Sequence, residues 1–149
     1  HILNTGSVFG ALGYPAYSVY SATKFAIRGF SEALRRELSD TPVKVHYLAP
    51  RATRTGINSA AVERMNEELK VAMDTPAIVA NAARRMLEQE TAEAVVGWPE
   101  KFFVRLNALL PRLVDGALRK QLPVIRRHAG TSASLPPEAT DLLSTRVRT

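Results

Sequence analysis

The chain has 149 residues, with hydrophobic residues at 46%, charged residues at 23%, three His and no Cys. That length suits one ordinary domain and excludes two sizeable ones, and the composition is globular rather than disordered. The missing Cys excludes a disulfide scaffold, a thiolate metal site and a Cys nucleophile, while a net charge of +6 brings anionic cofactors, membranes or nucleic acid into consideration.

The first residues, His1-Ile2-Leu3-Asn4, carry no Met and no signal peptide, and they read as the end of a buried strand. The expectation is a chain that starts in mid-domain. Thr5-Gly6-Ser7 is the turn that follows, and a loop with Gly10, Gly13 and Pro15 comes next. From Ala16 to Leu38 the spacing predicts a helix with an apolar face of Ala22, Phe25, Ala26, Phe30, Ala33, Leu34 and Leu38. Ser39 to Pro42 stops it. Residues 43–49 predict a strand ended by Pro50, residues 51–60 a loop, and residues 61–73 a helix of weaker amphipathicity. Thr75-Pro76 is a helix start, and Ile78, Val79, Ala82, Ala83, Met86 and Leu87 give that helix its apolar side. Residues 92–98 predict another strand. The order β-α-β-α-α-β calls for a parallel sheet covered by helices.

After Pro99 the character changes. Phe102, Phe103, Leu106, Leu109, Leu110, Leu113, Val114 and Leu118 form a helical apolar stripe, interrupted at Pro111. The division expected is 1–99 as the α/β part, 100–128 as a basic amphipathic helical extension, and 129–149 as a disordered tail rich in Ser, Thr and Pro. The charge is local. Residues 100–128 carry seven basic side chains against Glu100 and Asp115, whereas residues 1–99 are nearly balanced.

One constellation carries chemistry. Tyr20 and Lys24 stand four apart on the predicted helix, one above the other on the same face. A cation beside a phenol favours phenolate and suits a tyrosine to proton transfer. Ser7, thirteen positions earlier, can face the same pocket and hold a carbonyl or hydroxyl oxygen. Tyr-x3-Lys with Ser at that offset arises by chance on the order of 1% of the time. His1, His46 and His128 show no metal-ligand spacing with one another or with carboxylates, so no metal site is expected; alternating with Val45 and Tyr47, His46 reads as structural.

The segments Asn4-Thr5-Gly6-Ser7-Val8-Phe9-Gly10, Tyr20-Ser21-Ala22-Thr23-Lys24-Phe25-Ala26 and Leu48-Ala49-Pro50 with Thr53 and Thr55 closely resemble the short-chain dehydrogenase/reductase family, over about residues 1–99. The resemblance implies the C-terminal half of a Rossmann-type, doubly wound α/β domain. It implies Tyr20 as catalytic acid/base, Ser7 as the group that holds the substrate oxygen, and Lys24 as the ligand of the nicotinamide ribose that also tunes Tyr20. Pro50, Thr53 and Thr55 fall where the family contacts the nicotinamide carboxamide. The implied reaction is NAD(P)-dependent interconversion of a ketone and a secondary alcohol, in a homo-oligomer. The alternative is a non-catalytic or membrane-associated binding protein on the same scaffold.

The sequence departs from the family in three ways. Arg51 stands where the family has Gly, and is expected to face solvent. The family's Gly-rich phosphate-binding turn is missing, as is the residue that selects NAD or NADP. The family's further catalytic Asn is missing too, and Asn4 is not its equivalent. The chain alone is therefore expected to be inactive and to lack measurable dinucleotide affinity. For residues 100–128 a substrate lid with subunit contact ranks first. A membrane-interfacial segment, suited to a lipophilic substrate, ranks second. Nucleic-acid binding ranks last, because no recognised module is present. The expected location is the cytoplasm, with peripheral membrane contact as the variant.

Overall fold

The computed structural model describes residues 1–56 and 58–132. Three parallel strands lie side by side in chain order: β1 (Ile2–Thr5), β2 (Val45–Ala49) and β3 (Glu93–Val95). Ile2 pairs with Val45 and Thr5 with Leu48, while Tyr47 pairs with Glu93 and Ala49 with Val95. Between them run α1 (Ser18–Glu37), α2 (Ala60–Glu68) and α3 (Pro76–Glu88). Beyond β3 come α4 (Glu100–Leu109) and α5 (Pro111–Ser132). A parallel sheet with crossover helices is the α/β architecture expected, with a helical C-terminal part.

The central strand β2 is buried along its whole length, as a strand covered on both faces must be. Alternate side chains of a strand face opposite ways. Leu48 joins Met86 and Val96 in a core that Val79, Ala82 and Ala83 of α3 complete. Tyr47 points the other way, toward Gly6, Gly10 and the backbone of α1. His46 is buried too. Its Nδ1 donates to Thr91 O at 2.8 Å, and its Nε2 pairs with His1 Nδ1 at 2.8 Å. The structural role expected of His46 fits these contacts. The His1 pairing, 45 positions apart in sequence, was not legible from spacing.

Several boundaries differ from expectation. The second helix ends at Glu68 rather than Met73, because Lys70 takes a left-handed backbone (φ 52°) and residues 71–74 turn back toward the loop after β2. A backbone bridge then joins Thr53 to Asp74. The strand expected over 92–98 shrinks to Glu93–Val95. Pro111 does more than interrupt a stripe. It is the first residue of α5, where its missing N–H costs nothing. That helix runs on to Ser132, past the expected start of the tail at 129, and residues 133–149 of that tail lie outside the described residues.

The apolar side of α1 is also turned differently from an ordinary surface helix. Ala22, Phe25, Ala26, Phe30 and Ala33 are exposed, and the buried positions are Ser21 and Ser31. Small hydroxyl residues let the helix lie close to the sheet and still satisfy their polar atoms. Ser31 Oγ donates to Ile27 O at 2.7 Å and accepts from Asn4 Nδ2 at 2.9 Å. Asn4 thus pins β1 to α1, a structural task.

Candidate functional site

Ser7 follows β1 directly. Hydrogen bonds from Gly6 N to Leu48 O (2.8 Å) and from Val8 N to Pro50 O (3.0 Å) carry the strand pairing past the end of β1. The Ser7 turn is thereby fixed beside Pro50. Ser7 caps the single 3-10 turn Val8–Gly10, its Oγ accepting from Phe9 N at 3.2 Å. That bond uses an oxygen lone pair and leaves the O–H free to donate.

Glycine is required at two places in this turn. A Cβ on Gly6 would collide with the Tyr47 ring. One on Gly10 would stand 2.8 Å from Lys24 O of the α1 backbone. The turn and the helix that carries Tyr20 and Lys24 therefore touch backbone to backbone. Tyr47 Oη donates to Ser7 O at 3.3 Å, and burial pushes its phenol pKa up.

On α1, Lys24 Nζ lies 5.5 Å from the Tyr20 ring centroid and donates to Thr5 O at 3.4 Å. The i, i+4 stacking expected of the pair is present, and Thr5 O aims the ammonium at the end of β1 next to Ser7. The Tyr20 side of the site is open, with that residue 43% exposed. Phe9 links the two sides. Its N–H bonds Ser7 Oγ, and its ring meets Tyr20 edge-on at 6.2 Å and stacks on Tyr14 at 4.7 Å. Burial raises the phenol pKa values of Tyr14 and Tyr17.

The loop after Pro50 is held by a charge cluster that spacing alone could not reveal. Arg51 Nη2 bonds Asp74 Oδ1 at 2.6 Å, and Arg51 Nη1 reaches Glu100 Oε2 and Trp98 O, each at 3.4 Å. The Arg51 and Asp74 side chains are 17% and 4% exposed. Arg51 was expected to face solvent, and the structure corrects this. Two carboxylates 23 and 49 positions away draw it inward, and the Asp74 bond raises its pKa further. Thr53 Oγ1 donates to Arg51 O at 3.0 Å, and Asn58 Nδ2 to Thr53 O at 2.9 Å. Thr55 lies exposed in the same loop. Ser7 and Pro50 thus stand together just past the end of β1, Lys24 reaches that end through Thr5 O, and Tyr20 lies beside Lys24, with Thr53 and Thr55 further along the loop.

A cleft of about 550 Å³ lies elsewhere, between the start of α1 and α5. It is lined by Tyr14, Ser18, Asp115 and Arg119 among others, and not by Ser7, Tyr20 or Lys24. Helical geometry explains the separation: Ser18 and Ala22 sit on the side of α1 away from Tyr20 and Lys24.

Known proteins share part of this sequence and this fold. The family model for short chain dehydrogenase matches residues 1–66, which hold Ser7, Tyr20, Lys24, Pro50, Thr53 and Thr55. A putative oxidoreductase, SadH, of Mycobacterium tuberculosis is 32% identical over 138 residues, covering 83% of this chain and 50% of that protein. The chain belongs to the short-chain dehydrogenase/reductase family. A 3-oxoacyl-[acyl-carrier-protein] reductase of Bos taurus is 40% identical over 68 residues, 46% of this chain and 27% of that protein. The fold matches that of a short chain dehydrogenase from Burkholderia cenocepacia, solved in complex with NADP (TM-score 0.64, 20% identity, 78% of this chain and 46% of that one). The chain spans about half the length of the first of these relatives.

Proposed function

We propose that this chain supplies the catalytic residues of an NAD(P)-dependent oxidoreductase that interconverts a ketone and a secondary alcohol of a small-molecule substrate. The observation that carries the reading is the Lys24 ammonium, set over Tyr20 and anchored to Thr5 O beside the Ser7 turn. Ser7 keeps a free O–H for the substrate oxygen, and Tyr20 stands open to solvent on the facing element.

The residues fit a nicotinamide cofactor. Lys24 Nζ has one 3.4 Å carbonyl contact, which leaves two N–H groups for ribose hydroxyls. Pro50, Thr53 and Thr55 offer the loop for the carboxamide. Arg51, in place of the family's Gly, is committed to Asp74, Glu100 and Trp98 O rather than to an anionic group. A bound nicotinamide supplies or accepts the hydride. Tyr20 gives its phenolic proton to the carbonyl oxygen during reduction and takes it back during oxidation. Lys24 Nζ, 5.5 Å from the ring centroid, attracts the phenolate left behind. Ser7 donates a hydrogen bond to the same oxygen and orients it. The exposed Ala22, Ala26 and Ala33 side of α1, with Phe25 and Phe30 beside it, supports pairing of two copies of the protein.

The test is Tyr20→Phe in the whole protein. Turnover is expected to fall by at least ~100-fold, the scale of a lost general acid, with cofactor affinity kept within a few-fold. Retained turnover overturns the assignment of Tyr20.

A further inference from the structure

The helix α4 is inside out for a water-facing helix. Its inner side is fixed by Val104, which is buried, and by Asn107, whose Nδ2 donates to Ala11 O at 3.0 Å. At 100° per residue, Phe102, Leu106 and Leu109 fall on the opposite side. Phe102 and Leu109 are exposed there, Leu109 at 79%. Trp98 (71% exposed, its ring 6.3 Å from that of Phe102), Phe103, Leu110 and Leu113 continue the apolar surface from the strand end to the first turn of α5. The stripe does not continue along α5, where Val114 and Ile125 are buried.

Charge selects the occupant. Lys101, Arg105 and Arg112 border this surface, are exposed, and form no ion pair among the described residues. The acidic residue within 98–113 is Glu100, and it is engaged by Arg51. An isologous contact with a second copy would bring this cationic border against itself. An anionic bilayer meets the cations with headgroups and takes the apolar side chains into the acyl boundary, with a Trp at the interface depth that suits its ring. Among the described residues no helix is long and apolar enough to cross a membrane, so the contact is peripheral.

We propose that the face formed by Trp98, Phe102, Phe103, Leu109, Leu110 and Leu113 docks the protein on anionic membrane surfaces. The test uses the full chain and Trp98, its single Trp, as reporter, with vesicles of phosphatidylcholine alone or mixed with phosphatidylserine. A blue shift of Trp98 emission and its quenching by bromine-labelled acyl chains are expected on the mixed vesicles. Partition onto phosphatidylcholine alone should be weaker by on the order of 100-fold, since each of three basic residues near an anionic surface is worth about fivefold. Phe102→Ser combined with Leu109→Ser should lower partition at least tenfold while the chain still unfolds cooperatively. Absence of the shift on mixed vesicles overturns the proposal. So does binding that the double variant leaves unchanged, which is charge attraction alone. A shift that follows protein concentration without lipid also overturns it, because a second copy then covers the face. The readout needs no turnover, so its failure leaves the assignment of Tyr20 standing.

Discussion

Replacing Arg51 by Ala tests how the loop after β2 is held. Asp74 is almost fully buried, and its short bond from Arg51 is its one ion pair among the described residues. Truncating Arg51 strands that carboxylate in a dry site. Breaking a buried pair from one side costs about 3–5 kcal/mol, because the remaining charge keeps its desolvation penalty. The partial opening of Arg51 to solvent places the expectation at the lower end, about 3 kcal/mol. For a domain of this size that lowers Tm by roughly 10 °C. Urea unfolding of the wild type, Arg51→Ala, Asp74→Ala and the double variant closes the cycle. The midpoint should drop with an unchanged slope, and the double variant should lose less than the sum of the singles, with a coupling of at least ~1.5 kcal/mol. A loss below ~1 kcal/mol, or single effects that simply add, would show that the pair behaves like an exposed salt bridge and refute the clamp.

Three further outcomes are expected. Lys24→Ala should weaken both cofactor binding and turnover, each at least tenfold, since one ammonium is assigned two tasks; steady-state kinetics and cofactor titration check it. Gly10→Ala forces a methyl to 2.8 Å from Lys24 O, and overpacking against backbone should cost about 1–3 kcal/mol in urea unfolding. Glu68 accepts a 2.7 Å bond from His128 and a 2.9 Å bond from Arg127, and the His128 bond above all holds its carboxyl pKa below the usual value. A depressed folded pKa means stability present above the ordinary glutamate range near ~4.3 and lost as pH falls through the folded value. Proteolysis at the α2–α5 contact should therefore rise in acid for the wild type and become flat in Glu68→Gln.

What was legible in the sequence was local. The helix under Tyr20 and Lys24 and the Pro76 helix start each rest on a few neighbouring residues and stand where expected. The first strand, expected buried over His1–Asn4, is present at Ile2–Thr5 with Ile2 38% exposed, because it lies at the edge of the sheet. The stacking of Lys24 over Tyr20 could be read because both lie on one helix, four residues apart. The Arg51 cluster could not, since Asp74 and Glu100 come from distant positions and each looks like an ordinary surface carboxylate in sequence. The orientation of α1 was hidden for a different reason. Periodicity identifies an apolar side but not what covers it, and here Ser21 and Ser31 take the inner positions.

Tyr47 ties these levels together. The same ring fills the space that Gly6 and Gly10 leave, and its hydroxyl holds the carbonyl of Ser7. The Ser7 turn is thus cast against the hydrophobic interior, not draped over it. Changes that loosen the interior near Tyr47 should shift Ser7 and erode chemistry before the chain melts. Exposed positions that do not lean on that ring, such as Arg64 and Glu67 of α2, can change more cheaply. Sequence variation among functional versions of this protein should gather there and leave the Tyr47 surroundings nearly fixed.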